Sequence, residues 1–87
     1  MKSDSGETEA VFTEVVGVLG QYCDLSSCRL EVDSVLGEDI PLDSAQMLRV
    51  ITRLEALKGV QFRPEDLLKL RTLGDLIDLT RRRAGGL

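Results

Sequence analysis

The sequence contains no histidine, so the side chain that most often serves as general base and metal ligand near neutral pH is missing. Catalysis by this chain alone is not expected. Its two cysteines, Cys23 and Cys28, make too small a ligand set for a structural zinc without histidine beside them. They read as free thiols. By count they also allow a loop disulfide, which a reducing compartment would disfavour. Tryptophan is absent, and Phe12, Tyr22 and Phe62 are the only aromatics, which leaves the core to Leu, Val and Ile. No apolar run approaches the roughly 20 residues of a membrane span. The first nine residues are polar and acidic, unlike the basic-then-apolar order of a secretory leader. The expected location is cytoplasmic, with no membrane span. A formal net charge of −4 argues against a nucleic-acid partner, because affinity there rests on neutralising phosphates with Lys and Arg.

What is present fits one small domain. Eighty-seven residues, 43% hydrophobic and 30% charged, suffice for a single core but not for a deep enclosed substrate cavity as well. Phe12, Val15, Val16, Leu19 and Tyr22 follow the i, i+3, i+4, i+7 rhythm of a helix over about residues 7–22. Gly17 and Gly20 weaken it by about 1 kcal/mol each relative to Ala, so this helix depends on packing. From Cys23 to Asp43 every period is broken, and a stretch of that length in a compact domain is usually functional. A second helix starts after Pro41, capped by Asp43 or Ser44, with Met47, Leu48, Ile51 and Leu54 as its inward stripe and Gly59 as its stop. Pro64 opens a short third helix carrying Leu67, Leu68 and Leu70. Thr72 and Asp75 resemble a capping box for a fourth, whose inner face is Leu73, Leu76, Ile77 and Thr80.

The expected fold is therefore an all-α four-helix bundle of three longer helices and one short third helix, with a long loop between helices 1 and 2. Residues 1–6 are expected to be disordered, 7–80 to form the domain, and 81–87 to be a flexible basic tail. Charge is unevenly spread. Residues 23–43 hold six acids against Arg29 alone, whereas Arg81, Arg82 and Arg83 cluster near the end.

The segment Val35-Leu36-Gly37-Glu38-Asp39-Ile40-Pro41-Leu42-Asp43-Ser44 runs straight into the second helix. A serine there is ordinarily only a cap. Taken with the order of helices, the loop length, the later Gly59–Leu67 segment and the Thr72-Leu73-Gly74-Asp75 start, it resembles the acyl carrier proteins over about residues 7–80. The resemblance implies that Ser44 receives a covalent phosphopantetheine arm and that Asp43 supports recognition by the transferase that installs it. Physical chemistry agrees, since unpaired N–H groups and the positive dipole end at a helix start favour an anion such as a phosphodiester. With no histidine to activate Ser44, an external phosphopantetheinyl transferase is required.

The implied function is carriage of an acyl or aminoacyl group as a thioester, by a monomer that serves an acyl-loading or adenylating enzyme and condensing or acyltransferase enzymes. Ala45, Met47, Leu48, Arg49 and Arg53 are the candidate partner-recognition residues. Two departures from the family stand near the serine: Pro41 where glycine is usual and Ala45 where leucine is usual. The second helix differs too. Carrier proteins commonly present acids on its outer face, whereas residues 44–59 here hold Arg49, Arg53 and Lys58 against Glu55. This favours dedicated enzymes of a specialised fatty-acid, polyketide, lipid or peptide pathway, because like charges suppress wrong partners. The alternatives are a carrier-like interaction module that is never modified, and a helical nucleic-acid binder built on Arg49, Arg53 and Arg81–Arg83.

Overall fold

In the computed structural model, which describes the backbone of residues 3–85 and the side chains of residues 10–83, four helices follow one another: α1 (Ser3–Tyr22), α2 (Ser44–Lys58), α3 (Pro64–Leu67) and α4 (Leu73–Gly85). No β-strand is present among the described residues. The expected all-α bundle with a short third helix and a long first connection is what the chain forms. Both outer boundaries move. Helix α1 is already in place at Ser3, four residues ahead of the expected start, and α4 continues to Gly85 where a flexible tail was expected. Residues 1, 2, 86 and 87, on which the same expectations fell, lie outside the described residues.

The longer α4 has a visible cause. Asp78 pairs with Arg81 at 2.9 Å and Arg82 at 3.0 Å, one helical turn away. Arg83 reaches across to Asp66 on α3, its Nε donating at 3.1 Å. Two of the arginines thus extend the helix through a carboxylate at helical spacing, and the third through a carboxylate on α3.

Helix α1 packs against both α2 and α4, which explains why its buried face is wider than one stripe. Val11, Val15, Val18 and Leu19 are buried, while Phe12, Val16 and Tyr22 of the expected stripe are only half-buried. In α2 the buried residues are Val50, Ile51 and Leu54. Leu48, expected on the inward stripe, is 58% exposed. The packed side of α2 is centred nearer Val50, and at 100° per residue Leu48 falls on its outer flank. Leu68 likewise turns outward, 86% exposed, while Leu67 and Leu70 pack on the core. Helix α4 behaves as read, burying Leu73, Leu76, Ile77 and Thr80, and adds Leu79.

The long connection is irregular but fastened. Ile40 is fully buried and Leu42 nearly so, and burying one such side chain stabilises by about 1.5–3 kcal/mol. The buried Ser34 hydroxyl donates to the Arg29 carbonyl at 2.6 Å and accepts from the Glu31 N–H at 3.0 Å. Three backbone bonds then join this loop to the start of α4: Leu36 N–H to Arg71 O at 2.9 Å, and Leu73 and Gly74 N–H to Ser34 O and Val32 O at 2.8 Å each. The loop carbonyls so take up N–H groups that a helix start leaves without partners. Gly74 is required by this approach, because a Cβ there would lie 2.8 Å from the Val32 carbonyl oxygen.

Candidate functional site

The head of α2 is built by Asp43. With extended backbone (φ −94°, ψ −179°) it stands just before the helix, and its Oδ1 accepts the Gln46 N–H at 2.8 Å while its own N–H donates to Gln46 Oε1 at 3.1 Å. Asp43, rather than Ser44, is thus the cap. Ser44 becomes the first helical residue, and its exposed hydroxyl is not consumed by capping. The reciprocal Asp43/Gln46 pair satisfies two terminal donors and leaves the Ser44 and Ala45 N–H groups at the open end of a 15-residue helix. Partial positive charge therefore gathers where Ser44 projects.

Gln46 does a second thing. Its Nε2 donates to the Tyr22 carbonyl at 2.9 Å, tying the head of α2 to the end of α1 across 24 residues of sequence. Gln46 is half-buried and turned toward α1 instead of outward with Arg49 and Arg53. The Asp-x-x-Gln spacing from Asp43 was the available signal, since a capping box needs an acceptor three residues after the cap. On the other side, Leu42 is buried immediately before Asp43, and Ile40 before it, so the approach to the helix is pinned as well. Pro41 between them is exposed.

A cleft of about 400 Å³ opens beside Ser44, lined by Leu36, Leu42, Met47, Ile51, Leu67 and Leu70 among others. Leu48 and Gly37 stand at the same cleft. Loop, α2 and α3 each supply part of its wall, and the walls are aliphatic. Of the residues expected to recognise partners, Met47 lines this cleft half-buried, while Ala45, Leu48, Arg49 and Arg53 lie exposed on the outer side of α2. Lys58, also read as outward, instead pairs with Glu14 of α1 at 2.7 Å.

The remaining polar clusters are structural. Cys23 and Cys28 are free, half-buried thiols donating to the Leu19 and Asp24 carbonyls. Burial, then the neighbouring Cys28 and Asp24, pushes the Cys23 thiol above the ordinary cysteine range, which lowers its reactivity. Among the described residues no group of three His, Cys, Asp or Glu side chains is placed to hold a metal ion, and no helix is long and apolar enough to cross a membrane. Thr72 and Asp75 form the box read from the sequence, with bonds of 3.1 Å in both directions.

The head of α2 fits a covalent phosphopantetheine. The Ser44 side chain is exposed, the local field favours a phosphodiester, and a largely aliphatic cleft adjoins it. Comparison with known proteins points the same way. The family model for the phosphopantetheine attachment site matches residues 13–80. An acyl carrier protein of Rhodococcus erythropolis is 31% identical over 68 residues, covering 74% of this chain and 75% of its own. One from Coprothermobacter proteolyticus is 26% identical over 73 residues, covering 84% and 89%. No solved structure gives a significant match. Carrier proteins of this kind are generally not catalysts themselves but work with a phosphopantetheinyl transferase and biosynthetic enzymes. A match that spans nearly the whole helical domain, on a chain folded as four helices with an exposed serine at the head of the second, makes this protein a member of the acyl carrier protein family, with covalent phosphopantetheine as its prosthetic group.

Proposed function

We propose that Ser44 is the attachment residue and that the protein is a discrete carrier for a specialised fatty-acid, polyketide, lipid or peptide pathway. The observation that carries the assignment is the exposed Ser44 side chain at the first position of α2, within the matched segment. When bound, the arm supplies a terminal thiol that holds an acyl or aminoacyl cargo as a thioester. The residues of the chain do the rest by presentation. Asp43 fixes the start of α2 through Gln46 and keeps an acidic group beside the serine, where it supports the transferase in positioning its metal ion and the hydroxyl. The Ser44 and Ala45 N–H groups favour the negative phosphodiester. Leu36, Leu42, Met47, Ile51, Leu67 and Leu70 offer an apolar wall to an aliphatic cargo. Ala45 narrows the apolar surface that a general transferase would grip, since a fully buried leucine contact contributes about 1.5–3 kcal/mol. A dedicated transferase suits this site.

The reading is tested by incubating the protein with coenzyme A and the phosphopantetheinyl transferase of its own host, then mapping the product by peptide mass spectrometry. One arm on Ser44 is expected, with Ser44→Ala unmodified and equally helical by circular dichroism. An arm on Ser26, Ser27 or Ser34, or modification that persists in Ser44→Ala, defeats the assignment. Protein from the native host that never carries an arm would favour the unmodified interaction module.

A further inference from the structure

Half of the cations with described side chains are paired. Arg29 contacts Glu31, Lys58 contacts Glu14, Arg81 and Arg82 share Asp78, and Arg83 holds Asp66. Of the five left without an ion pair among the described residues, Arg63, Lys69 and Arg71 flank α3, whereas Arg49 and Arg53 belong to α2. Both are exposed, neither forms an ion pair among the described residues, and they lie one turn apart on the outer side of α2. Between and around them stand Thr52, Ala56 and the exposed Leu48, which with Tyr22 line a shallow depression of about 340 Å³. No acid lines it. Glu55, the one carboxylate of α2, is turned away and accepts the Phe62 N–H at 2.8 Å.

From this arrangement we infer that the outer face of α2 docks an acidic protein surface, namely carboxylates flanking a small apolar projection on the enzymes that act on the arm. The inference rests on the proposed attachment at Ser44, which makes this face the one an enzyme must approach. Along the axis of α2, Arg49 and Arg53 stand about 7.5 and 13.5 Å from Ser44 at 1.5 Å per residue, within the footprint of an enzyme engaging the arm. Guanidinium groups pair with carboxylates through two parallel N–H donors, so two of them at i and i+4 fix register as well as attraction. The small side chains Thr52 and Ala56 let a partner come close, and Leu48 supplies apolar area at the edge next to the cleft. Exposed leucine beside unpaired arginine is the composition expected of an interface centre and its rim. Nucleic acid fits poorly. The other arginine cluster, Arg81–Arg83, is tied up in ion pairs with Asp78 and Asp66, and the acidic Asp24, Glu38 and Asp39 lie exposed on the loop before α2.

The test uses arm-bearing protein with the acyl-loading and acyl-accepting enzymes of its own host, measuring transfer rates at about 20 and 300 mM salt. Arg49→Glu with Arg53→Glu should raise KM about tenfold or more while leaving kcat within about twofold, since a rim charge acts on encounter more than on chemistry. Arg49→Lys with Arg53→Lys should keep most of the wild-type KM. High salt should shrink the difference between wild type and the Glu variant. Equal KM for wild type and the Glu variant overturns the inference, as does binding of a 20-base-pair DNA duplex more tightly than either enzyme. The attachment reading fails separately: the same variants are assayed for arm loading on Ser44 by mass spectrometry, and a normal load with unchanged transfer sinks only the docking surface.

Discussion

The loop of residues 23–43 and the outer face of α2 meet at Asp43–Ser44, and they differ opposite to what their regularity suggests. The loop has no repeating backbone pattern, yet it buries Ser34, Ile40 and Leu42 and shares three backbone bonds with the start of α4. The helical face is regular and buries nothing. Residues committed to packing therefore hold the serine from the loop side, while residues free of packing surround it on the helix side. A carrier needs both: a fixed attachment point and a surface whose chemistry can change without unfolding the domain.

The largest effect should come from the loop. Ile40→Ala removes a fully buried side chain and should lower unfolding free energy by about 2–5 kcal/mol in urea titration. A loss below about 1 kcal/mol would mean that the loop is not fastened as described. An intermediate effect is expected at the junction. Gln46→Ala deletes half of the capping box and the bond to Tyr22, which should cost about 1–2 kcal/mol and slow arm loading on Ser44 by the transferase. Gln46→Glu, which keeps an acceptor for the Asp43 N–H, should recover part of the loading rate. Stability lost with loading unchanged would confine Gln46 to a structural role. The smallest effect belongs to the helix face, where Arg49→Gln and Arg53→Gln should each change stability by no more than about 0.5 kcal/mol. A larger loss would show that these arginines serve the fold.

Acid should separate the regions further. The Arg63 N–H bond, aided by Arg83, holds the Asp66 carboxyl below the usual aspartate range. A depressed folded pKa stabilises above the unfolded value of about 3.9 and loses that contribution as pH falls toward the folded one. The α3–α4 contact should therefore loosen at low pH, where the apolar anchoring of the loop by Ile40 is unaffected.

The sequence by itself determined the number and order of helices, because apolar spacing, Pro64, Gly59 and the Thr72/Asp75 box are local signals that need no partner to be read. It also pointed to Ser44 as the proposed attachment residue, through Asp43-Ser44 placed after a long loop. Tertiary structure decided which side of each helix is inside. Leu48 and Leu68 satisfy a helical period yet face out, and Val18 and Val50 face in, because the buried arc depends on where neighbouring helices sit, and single-helix periodicity does not carry that position. It decided the role of Gln46 through Tyr22, the requirement for Gly74 through Val32, and the extension of α4 through Asp66 and Arg83. Among the described residues it also left Arg49 and Arg53 without an ion pair while pairing Lys58 with Glu14. Charges along a sequence are all alike until folding brings some of them within reach of an opposite one.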